Sequence, residues 1–178
     1  GLGVRYRDET APDVAAYAAL VRACFPEPEL ELVFEPGRRL VADAGLLLTR
    51  VEYVKHNGAR AFAIVDAAMN DLLRPALYDA WHPLHVDRAG PAPHREHDRF
   101  DVVGPVCESG DFLARDRELQ VGPGDLVAVG MAGAYGFGMA SNYNARDRAA
   151  EVMVQAGAHW LVRRRETLDE QTAPEWPP

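Results

Sequence analysis

Residues 104–111, with the sequence GPVCESGD, place a single thiol among acidic side chains. Cys107 is followed directly by Glu108, and Asp111 comes four residues after the cysteine. Nearby negative charge disfavours a thiolate, so the Cys107 thiol is expected to keep its proton. Such a thiol suits proton donation better than nucleophilic attack. A buried and inert cysteine is the commoner case, and this second interpretation stays open on the residues alone.

Glu35, Gly37 and Arg38 form a second candidate group, at the start of a short helical pattern. Gly37 would let the backbone approach a ligand, and Arg38 would stand where the first N–H groups of a helix point outward. This arrangement favours an anion-binding site. The alternative is a plain strand, turn and helix with an exposed arginine, and the spacing does not decide between the two.

Arg74, Tyr78 and Tyr135 complete the set of polar side chains that could bind a ligand. Arg74 and Tyr78 are four residues apart, so in a helix they would share one face and could grip one carboxylate. A solvated helix surface is the alternative, and the pattern alone favours it. Tyr135 is the polar group in a run of glycines and alanines, which would let a ligand approach the backbone; a flexible loop is the alternative.

Two histidine pairs have a spacing that metal ligands can have. They are His82 with His85 and His94 with His97, and no cysteine accompanies either pair. We therefore expect no metal site.

The pattern around these residues predicts the elements that position them. Helical spacing over residues 14–24, alternation over 30–34 and a second helical pattern over 38–47 give a helix, a strand and a helix, as in an α/β barrel. Apolar β-branched runs follow, with hairpin signals at Asn57-Gly58 and at Gly157. We predict an α+β chain: the last helix–strand–helix part of a (β/α)8 barrel, then a mostly antiparallel β-sandwich or β-barrel domain. Residues 169–178 are expected to be loose.

The overall composition limits the partners and the location. The 178 residues carry a formal net charge of −8 at pH 7, which argues against nucleic acid or an anionic membrane as a partner. No apolar run approaches the roughly 20 residues that a membrane span needs. Cys24 and Cys107 are far apart in the sequence, so no disulfide framework is expected and a cytoplasmic location is the default.

Four motifs together resemble one known family. They are EPGR at 35–38, MNDLLRPALYD at 69–79, CESGD at 107–111 and AYGFGMASNYN at 134–144. In this order they are similar to the diaminopimelate decarboxylases, which belong to the alanine-racemase-like, pyridoxal-phosphate-dependent decarboxylases of basic amino acids. The resemblance covers essentially the whole chain. It implies a carboxy-lyase that converts meso-2,6-diaminopimelate to L-lysine, the last step of lysine biosynthesis, in a homodimer with shared active sites.

The resemblance also implies two domains and a role for each candidate residue. Residues 1–46 would end the pyridoxal-phosphate barrel, and residues 47–178 would form the carboxyl-terminal β domain. Cys107 would be the catalytic proton donor. The cofactor pyridoxal 5'-phosphate would be bound by Gly1, Gly3, Glu35, Gly37, Arg38 and Tyr135. The amino-acid substrate would be bound by Arg38, Arg74, Tyr78, Glu108 and Tyr135.

One departure from the family pattern limits what this chain can do. The family's Schiff-base lysine precedes all the motifs found here, and Lys55, the only lysine, matches no cofactor motif. The chain is therefore expected to be a carboxyl-terminal part that cannot catalyse alone. Two alternatives remain. One is a related decarboxylase of the ornithine or arginine type, in which aspartate typically follows the cysteine. The other is a non-catalytic dimerisation domain.

Overall fold

The computed structural model describes residues 2–58, 60–88, 90 and 98–176. Its helices are α1 (Val14–Cys24), α2 (Gly37–Val41), α3 (Arg74–Tyr78) and α4 (Leu168–Thr172). Its strands are β1 (Leu47–Asn57), β2 (Arg60–Val65), β3 (Leu84–Asp87), β4 (Asp98–Val103), β5 (Phe112–Leu119), β6 (Leu126–Val129), β7 (Glu151–Gln155) and β8 (Ala158–Arg163). None of the described helices is long and apolar enough to cross a membrane.

The first 46 residues match the expected pattern only in their helices. Asp13 caps α1, because its side chain accepts hydrogen bonds from the backbone N–H groups of Ala15 (2.8 Å) and Ala16 (3.3 Å). α2 continues into a 3₁₀ turn over Ala42–Ala44. Residues 30–34 form no strand, since no other described segment pairs with them, and a strand exists only through such pairing. The strand prediction is therefore wrong for this structure, and the assignment of residues 1–46 to a barrel stays a prediction.

The β part is a six-stranded mixed sheet in the order β3-β6-β1-β2-β4-β5. The β2–β4 pair is parallel and the other pairs are antiparallel, so the mostly antiparallel prediction is confirmed. β1 lies at the centre of the sheet and pairs with a strand on each side. Its first residues pair with β6, and its pairing with β2 starts at Val51. The register of the β1–β2 pair shifts between Val51 and Tyr53, where a bulge bends the long strand β1.

Both predicted hairpins are present. Asn57 and Gly58 lie at the β1–β2 turn, where Gly58 has φ +62°. Ala156 (φ +48°) and Gly157 (φ +81°) join β7 to β8 in a two-residue turn, the geometry that matches strand twist. The tail is more ordered than expected, because α4 covers residues 168–172 and begins with a capping box between Thr167 and Glu170.

The core lies between the sheet and the segment that leads into α3. Leu72 and Leu113 are fully buried, as are the inward side chains of the central strands. On β2 every second residue is buried, which is the alternation expected of a sheet with one covered face. Leu72 lies two residues before α3, so the core fixes the helix that carries Arg74 and Tyr78. Further members of this core include Val51, Ala63, Val65, Phe100, Val102, Val127 and Val129.

Large apolar side chains are exposed on α1 and on the β7–β8 hairpin. α1 has no buried residue, and Val14 and Leu20 are exposed on it. The β7–β8 hairpin exposes the large apolar side chains of Val154, Trp160 and Leu161. Exposed apolar surface of this extent is typical of an interaction site.

Candidate active site

The structure gathers six of the predicted site residues around one pocket of about 560 Å³. The lining side chains come from four separate stretches of sequence. They are Leu2, Glu35, Pro36, Gly37, Arg38, Arg74, Tyr78, Tyr135 and Met139. The pocket therefore combines two cations, one carboxylate and two phenols in one concave site. Such a grouping suits a small, charged ligand.

A close backbone contact brings Tyr135 next to the segment of Glu35 and Arg38. Gly133 lies against the end of α2, and a Cβ atom there would be 2.0 Å from the carbonyl oxygen of Val41. The amide N–H of Gly133 donates to the carbonyl of Ala42 (3.1 Å), and that of Ala132 donates to the carbonyl of Gly45 (2.9 Å). Only glycine fits at position 133, so the two walls of the pocket are joined by backbone hydrogen bonds.

Arg74 is a buried cation without a carboxylate partner among the described residues. Its Nη1 donates to the phenol oxygen of Tyr6 at 2.5 Å, and its Nε has no hydrogen-bond partner in the described part of the chain. No described carboxylate lies within ion-pair distance of it. Only 7% of Arg74 is exposed. A buried guanidinium is stable only when an anion or hydrogen bonds compensate its lost hydration, so this part of the pocket suits an anionic ligand group.

Tyr135 lines the same pocket in an uncommon backbone conformation. Its φ is +65°, which is the left-handed region that residues with a side chain rarely adopt. The following N–H, of Gly136, donates to the carbonyl of Ala132 (3.1 Å) and closes the turn. The guanidinium of Arg74 lies 5.7 Å from the centre of the Tyr135 ring. The turn thus presents the phenol beside the cation.

Cys107 and Glu108 do not line this pocket. Both are exposed on the turn between β4 and β5. The buried carboxylate of Asp111 holds that turn, because Oδ1 accepts from the Met69 N–H (2.7 Å) and Oδ2 from the Val106 N–H (2.6 Å). Both carboxylate oxygens of Asp111 therefore accept hydrogen bonds from the backbone.

Glu108 has one described side-chain partner, the phenol of Tyr143. The hydroxyl of Tyr143 donates to Oε2 of Glu108 at 3.3 Å. The Cys107 turn also touches α3, since a Cβ at Gly110 would lie 3.9 Å from the Cβ of Ala76. α3 consequently has Arg74 and Tyr78 on the pocket side and Ala76 on the side of the turn.

The comparison with known proteins settles the family. Residues 15–133 match the family model described as "Pyridoxal-dependent decarboxylase, C-terminal sheet domain". The chain belongs to this family. The diaminopimelate decarboxylase of Pseudomonas aeruginosa is 58% identical over 175 residues, which are 98% of this chain and 41% of that protein. The enzyme of the same name from Neisseria meningitidis serogroup A is 52% identical and is covered to 42%.

Solved structures give the same result for the fold. A crystal structure of diaminopimelate decarboxylase from Helicobacter pylori complexed with L-lysine superposes with a TM-score of 0.88 at 39% identity. The match covers 98% of this chain and 43% of that chain. AQ1208 from Aquifex aeolicus gives a TM-score of 0.92 at 42% identity, with 100% of this chain and 44% of that chain covered. The chain thus spans less than half the length of these relatives.

The pocket fits the anionic groups that a pyridoxal-dependent decarboxylase must bind. The unpaired Nε of buried Arg74 and the nearby Arg38 suit a carboxylate or a phosphate. A Cβ atom added at Gly37 would meet no other atom within 4 Å, so the backbone there is open to a ligand. Glu35 is exposed at the same pocket and supplies a carboxylate. The residue-by-residue roles remain predictions.

The other candidate positions fall outside the pocket. Gly3 packs near Pro12, and its neighbour Leu2 is the pocket residue of that segment. Gly1, His94 and His97 lie outside the described residues. His82 is buried, and its Nδ1 lies 2.9 Å from the carbonyl oxygen of Gly130. Among the described residues no group of three or more His, Cys, Asp or Glu is placed to hold a metal ion.

Several residues to which the sequence analysis gave no role fix the segments next to the pocket. Buried Asn70 clamps the loop over residues 141–146: its backbone carbonyl accepts from the Ser141 N–H (3.0 Å) and its side-chain oxygen from Nε of Arg146 (2.9 Å). Asn142 donates to Glu166, and Arg148 with Asn142 lowers the pKa of Glu166 to about 2. The motif SNYN was visible in the sequence, but nothing there showed which partners it contacts.

Proposed function

We propose that this chain contributes to the decarboxylation of meso-2,6-diaminopimelate to L-lysine with pyridoxal phosphate. The activity would belong to a protein that joins the chain to a lysine-bearing barrel half, called the complete enzyme below. The observation that carries the proposal is the buried Arg74 guanidinium, unpaired with any described carboxylate and facing a pocket shared with Arg38, Tyr78 and Tyr135. A relative named diaminopimelate decarboxylase that is 58% identical supports this assignment.

The distal carboxylate of the substrate is the group that Arg74 would bind. Diaminopimelate carries an amino-acid head at each end, and the head that does not react is retained in L-lysine. Arg74 and Tyr78 share one face of α3, and Arg38 lines the same pocket. A guanidinium can bind a carboxylate through two parallel hydrogen bonds, which also fixes the orientation of the substrate. Relatives whose crystal structures contain L-lysine are consistent with this role.

Glu35, Gly37 and Tyr135 would contact the cofactor. Bound pyridoxal phosphate would supply an electron sink for the electron pair left behind when carbon dioxide departs. Glu35 would hold a proton at the pyridine nitrogen, since a neighbouring carboxylate favours the charged form of a base. Gly37 leaves room for the ligand beside the backbone, and the Tyr135 phenol offers a hydrogen bond at the pocket wall.

Cys107 would return a proton to the carbon that lost carbon dioxide, and Glu108 would pair the distal ammonium of the substrate. Neither side chain lines the pocket of its own chain, and both are exposed. We therefore propose that they serve the pocket of a second copy in a homodimer. The exposed apolar surface of the β7–β8 hairpin supports an assembly of this kind. A cytoplasmic location fits a small-molecule enzyme and stays a prediction.

Replacement of Glu108 by alanine in the complete enzyme tests the proposal. A hydrogen bond to a charged group is worth about 1.5–3 kcal/mol, so kcat/KM for diaminopimelate should fall roughly 10- to 100-fold. Cofactor absorbance should stay unchanged, because Glu108 would contact only the substrate. Glu52→Ala, an exposed acid on β1, is the matched control.

The outcomes separate the alternatives. Equal loss of cofactor binding and turnover in Glu108→Ala would show that Glu108 is not a substrate residue. A complete enzyme that forms no lysine from diaminopimelate but decarboxylates ornithine or arginine would be the related decarboxylase. Absence of turnover with every member of this substrate panel would favour a non-catalytic dimerisation domain.

A further inference from the structure

Tyr6 lies between the two arginines of the pocket. Its phenol oxygen accepts the 2.5 Å hydrogen bond from Nη1 of Arg74. The Arg74 guanidinium carbon is 5.3 Å from the centre of the Tyr6 ring, and the Arg38 guanidinium carbon is 6.0 Å from the same centre. Both distances are within the range of a cation–π contact. One aromatic side chain therefore touches both cations of the candidate carboxylate site.

The contact with the Tyr6 ring offsets the repulsion between the two arginines. Before a ligand binds, Arg38 and Arg74 repel each other, and the repulsion is stronger where Arg74 is shielded from water. The electron-rich face of an aromatic ring attracts both guanidinium groups and also limits the rotamers they can adopt. A side chain in this position can hold the two cations where a single carboxylate would meet them.

Tyr6 is itself fixed from two sides. Its backbone N–H donates to Oε1 of Glu9 (2.9 Å), and the N–H of Arg7 donates to Oε2 of Glu9 (3.0 Å). The ring packs edge-on against the buried His82 ring, with centroids 5.5 Å apart and an angle of 76°. His82 is anchored in turn by its hydrogen bond to the Gly130 carbonyl. Contacts within the chain therefore hold both the backbone and the ring of Tyr6.

We propose that Tyr6 is a positioning residue for the carboxylate site formed by Arg38 and Arg74. The inference rests on the proposed function, because it names the residue that sets the geometry of the distal-carboxylate site. Tyr6 touches the two arginines and acts through them. Its effect should therefore appear in binding of the distal carboxylate and leave the chemical step almost unchanged.

The test compares two ligands that differ by this carboxylate. L-lysine has it, and 1,5-diaminopentane is the same molecule without it. Their dissociation constants are measured by calorimetry on the complete enzyme with cofactor bound, for wild type, Tyr6→Phe and Tyr6→Leu. The preference for L-lysine should fall roughly tenfold in Tyr6→Phe, which loses the hydrogen bond to Arg74, and further in Tyr6→Leu, which also loses the ring.

Steady-state kinetics gives a second readout. KM for diaminopimelate should rise in Tyr6→Phe by a similar factor while kcat changes less than about twofold, as expected when an interaction made equally before and during the reaction is lost. Tyr53→Phe, on an exposed tyrosine of β1, is the control and should change neither quantity. The preference is a ratio within one protein preparation, so partial misfolding of a variant does not alter it.

Each outcome addresses one proposal. A wild-type enzyme that binds L-lysine and 1,5-diaminopentane equally well would overturn the proposed function, because no carboxylate site would exist. A wild-type preference for L-lysine that is retained in both Tyr6 variants would overturn the role of Tyr6 and leave the proposed function standing. A drop in kcat with an unchanged preference would also overturn it, since Tyr6 would then act on the chemical step.

Discussion

Gly133→Ala should separate the two walls of the candidate active site. Gly133 lies between Val41, at the end of α2, and Tyr135, two residues further along its own segment. A Cβ atom at position 133 would be 2.0 Å from the Val41 carbonyl oxygen and 2.7 Å from the backbone nitrogen of Gly45. Both neighbours are backbone atoms, so neither can rotate away as a flexible side chain would.

The size of the displacement follows from these distances. Cβ atoms essentially never lie within 3.0 Å of a heavy atom outside their own residue and its chain neighbours, so the two backbones would have to move apart by about 1 Å. This movement strains the hydrogen bonds from Gly133 to Ala42 and from Ala132 to Gly45. Overpacking of this kind typically costs about 1–3 kcal/mol of stability. It also shifts Tyr135 relative to Glu35 and Arg38, and a misplacement of about 1 Å at a site can reduce activity on the order of 100-fold.

Thermal unfolding and kinetics of the complete enzyme measure both effects. Gly133→Ala should lower the unfolding temperature and reduce kcat/KM for diaminopimelate by roughly 10- to 100-fold. Gly138→Ala is the matched control, because no atom lies within 4 Å of a Cβ there and the residue belongs to the same loop. If Gly133→Ala retained kcat/KM within about twofold of wild type, the backbone contact would not be what positions Tyr135, and the reasoning would be refuted.

Two further predictions concern pH. Burial is the main cause that lowers the pKa of His82 below its usual 6.5, so the neutral ring stabilises the fold above about pH 6.5 and this contribution is lost as the pH falls through the lowered pKa. His82→Asn should remove that part of the loss in unfolding temperature between about pH 7.5 and 5.5, whereas His159→Asn on the exposed β8 should not. The pKa of Glu166 is lowered from 4.5 to about 2, chiefly by its hydrogen bond with Arg148, so its stabilising effect is present above pH 4.5 and is lost between pH 4.5 and 2. In Glu166→Gln the unfolding temperature should depend less steeply on pH over that range. An unchanged slope of unfolding temperature against pH would mean that other carboxylates control the acid transition.

The local features of the fold could be predicted from the sequence because they depend on neighbouring residues. The Asn57-Gly58 turn requires positive φ, which glycine adopts without strain. Pro75 near the start of α3 suits the first turn of a helix, and the four-residue spacing of Arg74 and Tyr78 then puts both on one face. These signals lie within a few residues of the features they predict.

The supporting contacts could not be predicted, because they join distant parts of the chain. Tyr6 and Arg74 are 68 residues apart, and Asn70 and Arg146 are 76 residues apart. A tyrosine flanked by two arginines carries no signal for such a partner. The predicted strand over residues 30–34 failed for a related reason: alternation describes a side-chain pattern, whereas a strand also needs a neighbour for its backbone hydrogen bonds.

The geometry of α3 explains why one copy of the chain holds only part of the proposed site. Residues four apart on a helix share a face, and a residue two positions on faces away from them. Arg74 and Tyr78 therefore face the pocket, while Ala76 lies on the side of the Cys107 turn, 3.9 Å from where a Cβ at Gly110 would be. That turn is fixed through Asp111 to the backbone of Met69, on the segment that leads into α3. The same short helix has the arginine pocket on one side and the cysteine turn on the other, so Cys107 does not line the pocket of its own chain. This separation is the reason for our proposal that a second copy supplies the thiol.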